Sequence, residues 1–321
     1  MQMSRPSLPP KRAAARSRGR TIVTLVLLAS FAPATALAAL RVVATVPDLG
    51  AVAREIGGDS VAVDVLVPPS QDPHYVDARP NLVLPLARAD LLIVNGLELE
   101  VGWLPPLLRS CRNPAVQLGQ PGYFDGGLIV ERKQAPGTLP TRAQGDVHAA
   151  GNPHYTHDPA SVAALAPALG ERLAQLDPAH AAAYRARAGE LARRLQSMVA
   201  AARAKVAAVP AARRQLVAYH ASLVYLFDTF GLHQVATVEP LPGIPPNPSH
   251  VAKVLATLRS SGAPAIVQEP YYPRSISKTL AKLAKVSLVI LPGGASFATG
   301  ETYTARAQRT IEALYAAIGA N

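Results

Sequence analysis

An uninterrupted helical stretch near the middle of the chain constrains its fold more than any other feature. Residues from Pro178 to about Ala208 are rich in alanine and arginine and contain a single glycine. Asp177-Pro178 is a typical helix start, and Pro210 is a typical stop. About 30 residues at a rise of about 1.5 Å each span roughly 45 Å. The pattern predicts one long helix that links two domains, with a surface helix inside one domain as the alternative.

Short apolar runs alternate with amphipathic helical patterns on both sides of this stretch, and Gln120–Gly151 is predicted to be a long loop. Such alternation predicts parallel sheets in an α/β fold. The predicted strands are Leu40–Val46, Val61–Val67, Leu91–Val94, Ala115–Leu118 (the weakest), Gln215–Tyr219, Gln234–Val238, Ala265–Gln268 and Ser287–Leu291. The predicted helices are Ala51–Ile56, Asn81–Arg88, Leu104–Ser110, Ser222–Phe230, Ser249–Ser260, Ser275–Lys285 and Thr304–Ala317.

The first 38 residues have the composition of a secretory signal peptide. Six basic residues and no acidic residue lie before residue 21, an apolar run follows to about Ala34, and the segment ends in Ala36-Leu37-Ala38. This arrangement is typical of a signal peptide, with cleavage expected after Ala38. The apolar run is shorter than the ~20 residues that a membrane span needs, and an uncleaved anchor helix is the alternative.

The remaining chain of about 280 residues suits two domains of ordinary size. We expect an N-terminal α/β lobe at residues 39–177, the linking helix at 178–209 and a C-terminal α/β lobe at 210–321. The net charge is +11, but six of these charges belong to the signal segment. No dense basic patch with interleaved aromatics follows it, so no nucleic-acid partner is expected. The single cysteine, Cys111, excludes an internal disulfide framework.

Several possible metal donors lie where an α/β protein places its ligand-binding groups. In open α/β sheets, ligands bind outside the carboxyl ends of the strands. Three imidazoles and one carboxylate at about 2.0–2.2 Å would satisfy an ion such as zinc. Three of these donors, His74, His220 and Glu269, follow predicted strands, and His154 precedes the helical region that links the two domains. Because they are far apart in sequence, their spacing alone indicates only a candidate metal site.

Short motifs occur in order along essentially the whole mature chain. They are Val43-Ala44-Thr45-Val46-Pro47-Asp48-Leu49, Ile56-Gly57-Gly58, Asp72-Pro73-His74, Ala89-Asp90-Leu91, Asn95-Gly96, Gly151-Asn152-Pro153-His154-Tyr155 with Asp158-Pro159, Tyr219-His220, Gly243-Ile244-Pro245-Pro246-Asn247-Pro248 and Glu269-Pro270. Together they resemble the metal-binding solute-binding proteins of ABC importers that handle zinc and manganese, the cluster A-I group. The resemblance implies two lobes, each a parallel sheet flanked by helices, joined by one long α-helix, with the metal in the cleft.

The resemblance also implies metal-binding histidines in three motifs, which here are His74, His154 and His220. The sequence departs from the family at the fourth ligand. Many members carry an aspartate in a stretch like L-D-P-L-G, whereas this chain has Leu291-Pro292-Gly293-Gly294-Ala295. We expect Glu269 as the fourth donor, with water or His148 as alternatives.

Three more residues near these motifs receive an interpretation from the sequence. His157 occupies an apolar position of the family motif and is interpreted as structural or as a neighbour of a ligand. Glu239 is a candidate hydrogen-bond partner of a ligand histidine, because metal-bound imidazoles usually donate to a carboxylate or carbonyl. Asp158 is interpreted as the cap of the following helix rather than as a group that orients His154.

These features together predict a periplasmic binding protein, not an enzyme. We expect it to capture a divalent transition metal as a monomer and to deliver the ion to the membrane permease of an ABC importer. Three imidazoles and one carboxylate favour Zn²⁺ over Mn²⁺, which prefers more oxygen donors, so Zn²⁺ is the expected transported ion and Mn²⁺ or Fe²⁺ the alternative. A secreted zinc hydrolase is the competing class, although the sequence contains no H-E-x-x-H motif.

Overall fold

A computed structural model describes residues 1–3, 6–10, 39–135 and 148–319 of the chain. Its contacts define two compact units, Met1–Leu37 and Ala38–Asn321. The predicted signal peptide and its cleavage point after Ala38 lie outside the described residues, apart from 1–3 and 6–10, which have no regular secondary structure. No helix in the described ranges is both long and apolar enough to cross a membrane.

The first half of the second unit contains a parallel sheet of four strands. They are β1 (Leu40–Ala44), β2 (Val61–Val65), β3 (Leu91–Val94) and β4 (Tyr123–Asp125), in the spatial order β2-β1-β3-β4. The helices of this half are α1 (Pro47–Gly57), α2 (Val83–Arg88) and α3 (Leu104–Cys111). All four residues of β3 are buried, as expected of a strand covered on both faces.

The second half repeats this topology in its own parallel sheet. The strands are β5 (Gln215–Ala218), β6 (His233–Thr237), β7 (Ala265–Gln268) and β8 (Ser287–Ile290), in the order β6-β5-β7-β8. Its helices are α6 (Val224–Phe230), α7 (Pro248–Ser261), α8 (Arg274–Ala284) and α9 (Tyr303–Gly319). The predicted fold class is therefore confirmed, and every strand except β4 has ends within two residues of the predicted ones.

A helical pair joins the two halves. α4 (Pro159–Leu176) is followed by a short 3₁₀ turn at Pro178–His180 and by α5 (Ala181–Ala207), which has 27 residues. Leu191 and Leu195 of α5 belong to the core of the first sheet, whereas Val199 and Val206 belong to the core of the second. Because one helix contributes to both cores, it links the lobes, and the alternative of a surface helix inside one domain is wrong.

The fourth strand of the first sheet lies where the sequence predicted a loop. The predicted strand Ala115–Leu118 is wrong, since a 3₁₀ helix occupies Pro114–Val116 and its cap, Asn113, accepts the backbone N–H of Ala115. β4 begins at Tyr123, directly after Gly122, where a Cβ atom would lie 2.5 Å from the Ala115 carbonyl oxygen. That glycine permits a close backbone approach, which a propensity pattern does not reveal.

Residues of the second half also enter the core of the first. Tyr225 and Tyr303 are both buried in the cluster that contains Leu49 and Ile93. This mixing shows that the lobes share apolar packing as well as a helix. The domain boundaries expected at 177/178 and 209/210 stay a prediction.

Candidate metal centre

Three histidine side chains meet beyond the carboxyl ends of strands from both sheets. The ligand atoms of His74, His154 and His220, which we call the histidine cluster, all lie within 4.8 Å of one another. The Nε2 atoms of His154 and His220 are 3.1 Å apart. Two nitrogens on one tetrahedral zinc would lie about 3.3 Å apart, given Zn–N distances of about 2.0–2.1 Å. Within the described ranges, no other group of histidine, cysteine, aspartate or glutamate side chains has this geometry.

His74 lies in the loop that follows β2, and a neighbouring carboxylate holds its ring. Oδ1 of Asp72 is 2.7 Å from Nδ1 of His74 and also accepts its backbone N–H. Burial raises the pKa of Asp72, but its hydrogen bonds with His74 and the charge of that ring outweigh burial and hold the pKa below its usual value. Because an ionised carboxylate only accepts, Nδ1 is the donor, and Nε2 is the nitrogen whose lone pair is available to a metal when the ring is unprotonated. That Nε2 is buried and has no hydrogen-bond partner among the described residues.

Local backbone contacts position His154 at the start of a 3₁₀ helix, His154–His157. Oδ1 of Asn152 accepts the backbone N–H of His154. The side-chain amide of Asn95, just after β3, donates to the carbonyl of Pro153 at 2.9 Å. Burial lowers the pKa of His154 well below its usual value, and the charges of His74 and His220 lower it further. The unprotonated ring that results is the form that binds metals.

His220 lies two residues after the last residue of β5, Ala218, and a glutamate holds its ring. Its Nδ1 donates to Oε1 of Glu239, which follows β6, and both side chains are buried. Burial lowers the pKa of His220, but the hydrogen bond and charge of Glu239 outweigh it, and the pKa is raised overall. The contact expected between Glu239 and a candidate ligand histidine is present, and the role of His220 as a ligand stays a prediction. With Nδ1 so engaged, Nε2 of His220 lies 3.1 Å from Nε2 of His154, and the ring centroid of His220 is 5.7 Å from that of His74.

The candidates for a fourth donor lie next to this cluster. Glu269 directly follows β7 and is 1% exposed, and its Oε1 accepts the Ser222 hydroxyl. Burial raises the pKa of Glu269, although the Ser222 hydrogen bond and the charge of His220 oppose this effect. The ring of His148 stacks on that of His74 with centroids 5.3 Å apart. Neither residue belongs to the set of donors within 4.8 Å of one another, and the full ligand set stays a prediction.

Sequence reasoning missed a second group of polar residues behind this site. Arg306, on α9, is fully buried and contacts Asp48 and His157; we call these three residues the arginine cluster. The available signal was the position of Arg306 on one helix face with Tyr303 and Thr310, both buried. An arginine within the apolar stripe of a helix indicates a buried ionic partner. His157, interpreted as structural or as a neighbour of a ligand, lies 3.6 Å from Glu269 through its Nε2.

Comparison with known proteins identifies the family. The model of the periplasmic zinc-uptake complex component A (ZnuA) family matches residues 42–317. This chain belongs to that family. The iron-binding protein YfeA of Yersinia pestis is 24% identical over 266 residues, which cover 82% of this chain and 79% of YfeA. The manganese transporter lipoprotein PsaA of Streptococcus pneumoniae is 22% identical over 252 residues, 78% of each chain.

Solved structures show the same fold. A ZnuA deletion mutant with zinc bound superposes with a TM-score of 0.73 at 20% identity, over 88% of this chain and 99% of that one. The resemblance drawn from the sequence is therefore confirmed. The chain belongs to a family of periplasmic solute-binding proteins that take part in metal uptake and are not enzymes. The competing class, a secreted zinc hydrolase, is excluded by this membership.

Proposed function

We propose that this protein captures one Zn²⁺ between its lobes and delivers it to the permease of an ABC importer. The ion binds to Nε2 of His74, His154 and His220 and to a carboxylate oxygen of Glu269. The observation that carries the proposal is the convergence of three imidazoles whose ligand atoms all lie within 4.8 Å. Asp72 and Glu239 engage the far nitrogens of two of the rings and so direct the other nitrogens at one point.

The proposed metal rests on the donor set. Imidazole nitrogens with one carboxylate suit Zn²⁺ better than Mn²⁺, which prefers oxygen donors. The relatives' names cite iron and manganese, and the similar ZnuA structure contains zinc. Competition titrations of the metal-free protein with Zn²⁺, Mn²⁺ and Fe²⁺ test the preference. We expect Zn²⁺ to bind most tightly, and a higher affinity for Mn²⁺ or Fe²⁺ would reassign the transported ion.

Burial and electrostatics support Glu269 as the fourth donor over water or His148. Glu269 is almost completely buried, and its charge acts on His220. A cation in the histidine cluster would balance this carboxylate, which otherwise lies in a site that disfavours its charge. Glu269→Gln should weaken zinc binding by ~10-fold or more, whereas His148→Ala should change it much less. The reverse order would assign the fourth position to His148.

Variants of the histidine cluster test the site itself. We expect the metal-free protein to bind one Zn²⁺ per chain. His74→Ala combined with His220→Ala should lower the affinity by more than ~100-fold, because removing residues that only contact a ligand already costs up to about 100-fold. His233→Ala is the matched control, because His233 is exposed at the start of β6. Full affinity in the double variant would refute the assignment of these ligands.

We also propose export with cleavage after Ala38, which makes the mature protein a periplasmic monomer. The support is the basic, apolar and A-x-A order of residues 1–38. The intact mass of the protein from a periplasmic fraction checks the cleavage point, with Ala39 expected as the first residue. Light scattering checks the oligomeric state. A mass that includes residues 1–38 would favour the uncleaved anchor.

A further inference from the structure

A fully buried arginine lies behind the proposed metal site. The Nη2 atom of Arg306 is 3.2 Å from Oδ2 of Asp48, at the start of α1. The same nitrogen donates to Nδ1 of His157 and lies 3.4 Å from the carbonyl oxygen of Pro292. A buried cation needs a neutralising charge, which Asp48 supplies. The guanidinium is thereby fixed between the two lobes, with one donor directed at an imidazole.

This contact determines which nitrogen of His157 carries the proton. A guanidinium has five N–H donors and no acceptor. The Nδ1 atom of His157 must therefore accept from Arg306, and the ring proton must lie on Nε2. His157 consequently presents an N–H donor, not a lone pair, on the side that faces away from Arg306. A ring in this form does not compete with His154 for a metal ion.

The donor on His157 faces one particular oxygen of Glu269. Its Nε2 lies 3.6 Å from Oε1, which is longer than a hydrogen bond, so the neutral ring acts on this oxygen through the dipole of its N–H group. The Ser222 hydroxyl donates to this same Oε1. Both donors thus act on one oxygen of the carboxylate, and the ring centroid of His157 is only 6.2 Å from that of His154 in the histidine cluster.

We propose that His157 and Arg306 are positioning residues that hold Glu269 in place as the carboxylate donor, a role that rests on the proposed zinc site. Arg306 fixes the proton of His157 on Nε2. The Nε2–H and the Ser222 hydroxyl restrain Oε1, so that Oε2 is the oxygen that binds the ion. Partners of ligating carboxylates typically change metal affinity by about 10–100-fold. The two residues therefore set how strongly the site uses its oxygen donor.

A double-mutant cycle on zinc affinity tests this role. Competition against a chromophoric chelator is measured for the unmodified chain, His157→Leu, Glu269→Gln and the double variant. We expect His157→Leu to lower the affinity about 10-fold, and the double variant to bind no more weakly than Glu269→Gln alone, because His157 acts through Glu269. Losses that add in the double variant, or full affinity in His157→Leu, would overturn the proposal.

Cobalt gives a readout that a merely structural role would not change. The visible absorption of bound Co²⁺ reports its coordination, so His157→Leu and Glu269→Gln should produce the same altered spectrum. His157→Gln should retain the unmodified spectrum, because its amide oxygen accepts from Arg306 and its amide N–H donates to Glu269. A spectrum of His157→Gln that matches that of His157→Leu would contradict the proposed positioning role.

The same measurements separate two kinds of failure. If the unmodified chain binds no zinc, the proposed function fails together with the positioning role. If the unmodified chain binds zinc tightly and His157→Leu binds it equally well, only the positioning role fails. Urea unfolding of each metal-free variant shows that the compared proteins are folded.

Discussion

The histidine cluster and the arginine cluster are neighbours, but only in the arginine cluster does the protein itself supply both partners of an ion pair. In the arginine cluster, the guanidinium of Arg306 is matched by the carboxylate of Asp48 within the protein. In the histidine cluster, three basic rings face one another, and Nε2 of His74 has no hydrogen-bond partner in the described part of the chain. The charge of the first cluster is balanced without a ligand and the cluster supports the fold, whereas the second is completed by a cation. Changes in the two clusters should therefore affect stability and metal affinity differently.

The largest expected effect is on stability, from Arg306→Met. This change leaves the carboxylate of Asp48 buried without its partner, which typically costs about 3–5 kcal/mol of unfolding free energy. Burial already raises the pKa of Asp48, against the effects of Arg306 and the Ala295 N–H. The loss should thus be smaller at acidic pH, where Asp48 is protonated and neutral. Urea unfolding of the metal-free protein measures both values.

Arg309→Met is the matched control on the same helix. Arg309 pairs with Glu301, but its side chain is 54% exposed. Exposed ion pairs typically contribute less than about 1 kcal/mol. Equal losses in the two variants would mean that the arginine cluster has no special structural role.

The second effect should appear only in the histidine cluster, as stabilisation by the ion. A ligand that binds only the folded state stabilises it by about 2.7 kcal/mol at a free concentration of 100 times its Kd. Zinc should therefore raise the thermal midpoint of the unmodified protein and of His233→Ala. It should not raise that of the His74→Ala, His220→Ala double variant. A zinc-dependent rise in the double variant would place the stabilising ion elsewhere.

A third, smaller effect concerns the pH dependence of metal binding. Burial lowers the pKa of His220, but Glu239 outweighs it and raises the pKa overall, so protons compete with the metal as the pH falls through this raised value. Glu239→Gln should lower that pKa and move the acidic loss of affinity to lower pH. At alkaline pH it should weaken binding by about 10-fold, because the imidazole is less basic.

Zinc competition across pH measures this shift. Glu190→Gln serves as the control, since Glu190 is exposed on α5 and pairs only with nearby Arg193 among the contacts described. An unchanged pH profile in Glu239→Gln would show that this carboxylate does not tune His220.

The smallest effect should come from Asp158, which lies next to both clusters and belongs to neither. Its carboxylate accepts the N–H groups of Ala160 and Ser161 and so caps α4, as expected from the sequence. Asp158→Ala should cost about 1 kcal/mol of stability and leave zinc affinity unchanged. A clear loss of affinity instead would mean that Asp158 orients His154.

The sequence predicted most elements because their signals are local. Leu91–Val94 and Ala265–Gln268, which consist wholly or mostly of apolar residues, are strands with the predicted bounds. β4 escaped prediction because it has only 3 residues and depends on a close approach of the backbone at Gly122. Such a contact between distant segments leaves no periodic pattern in a single sequence.

The candidate site was predictable only in part, for a similar reason. His74, His154 and His220 were selected by motifs, and the structure brings their rings together. The arginine cluster was not predicted, since Arg306 and Asp48 lie on α9 and α1, the last and the first of the described α-helices. Only the fold reveals that a buried arginine and a buried aspartate are partners.

Anomalous diffraction at the zinc edge from crystals of the zinc-loaded protein tests the central claim most directly. We expect one site, with Nε2 of His74, His154 and His220 at about 2.0–2.1 Å and an oxygen of Glu269 at about 2.0–2.2 Å from the metal. A zinc ion bound by other residues, with these three rings left uncoordinated, would contradict the account.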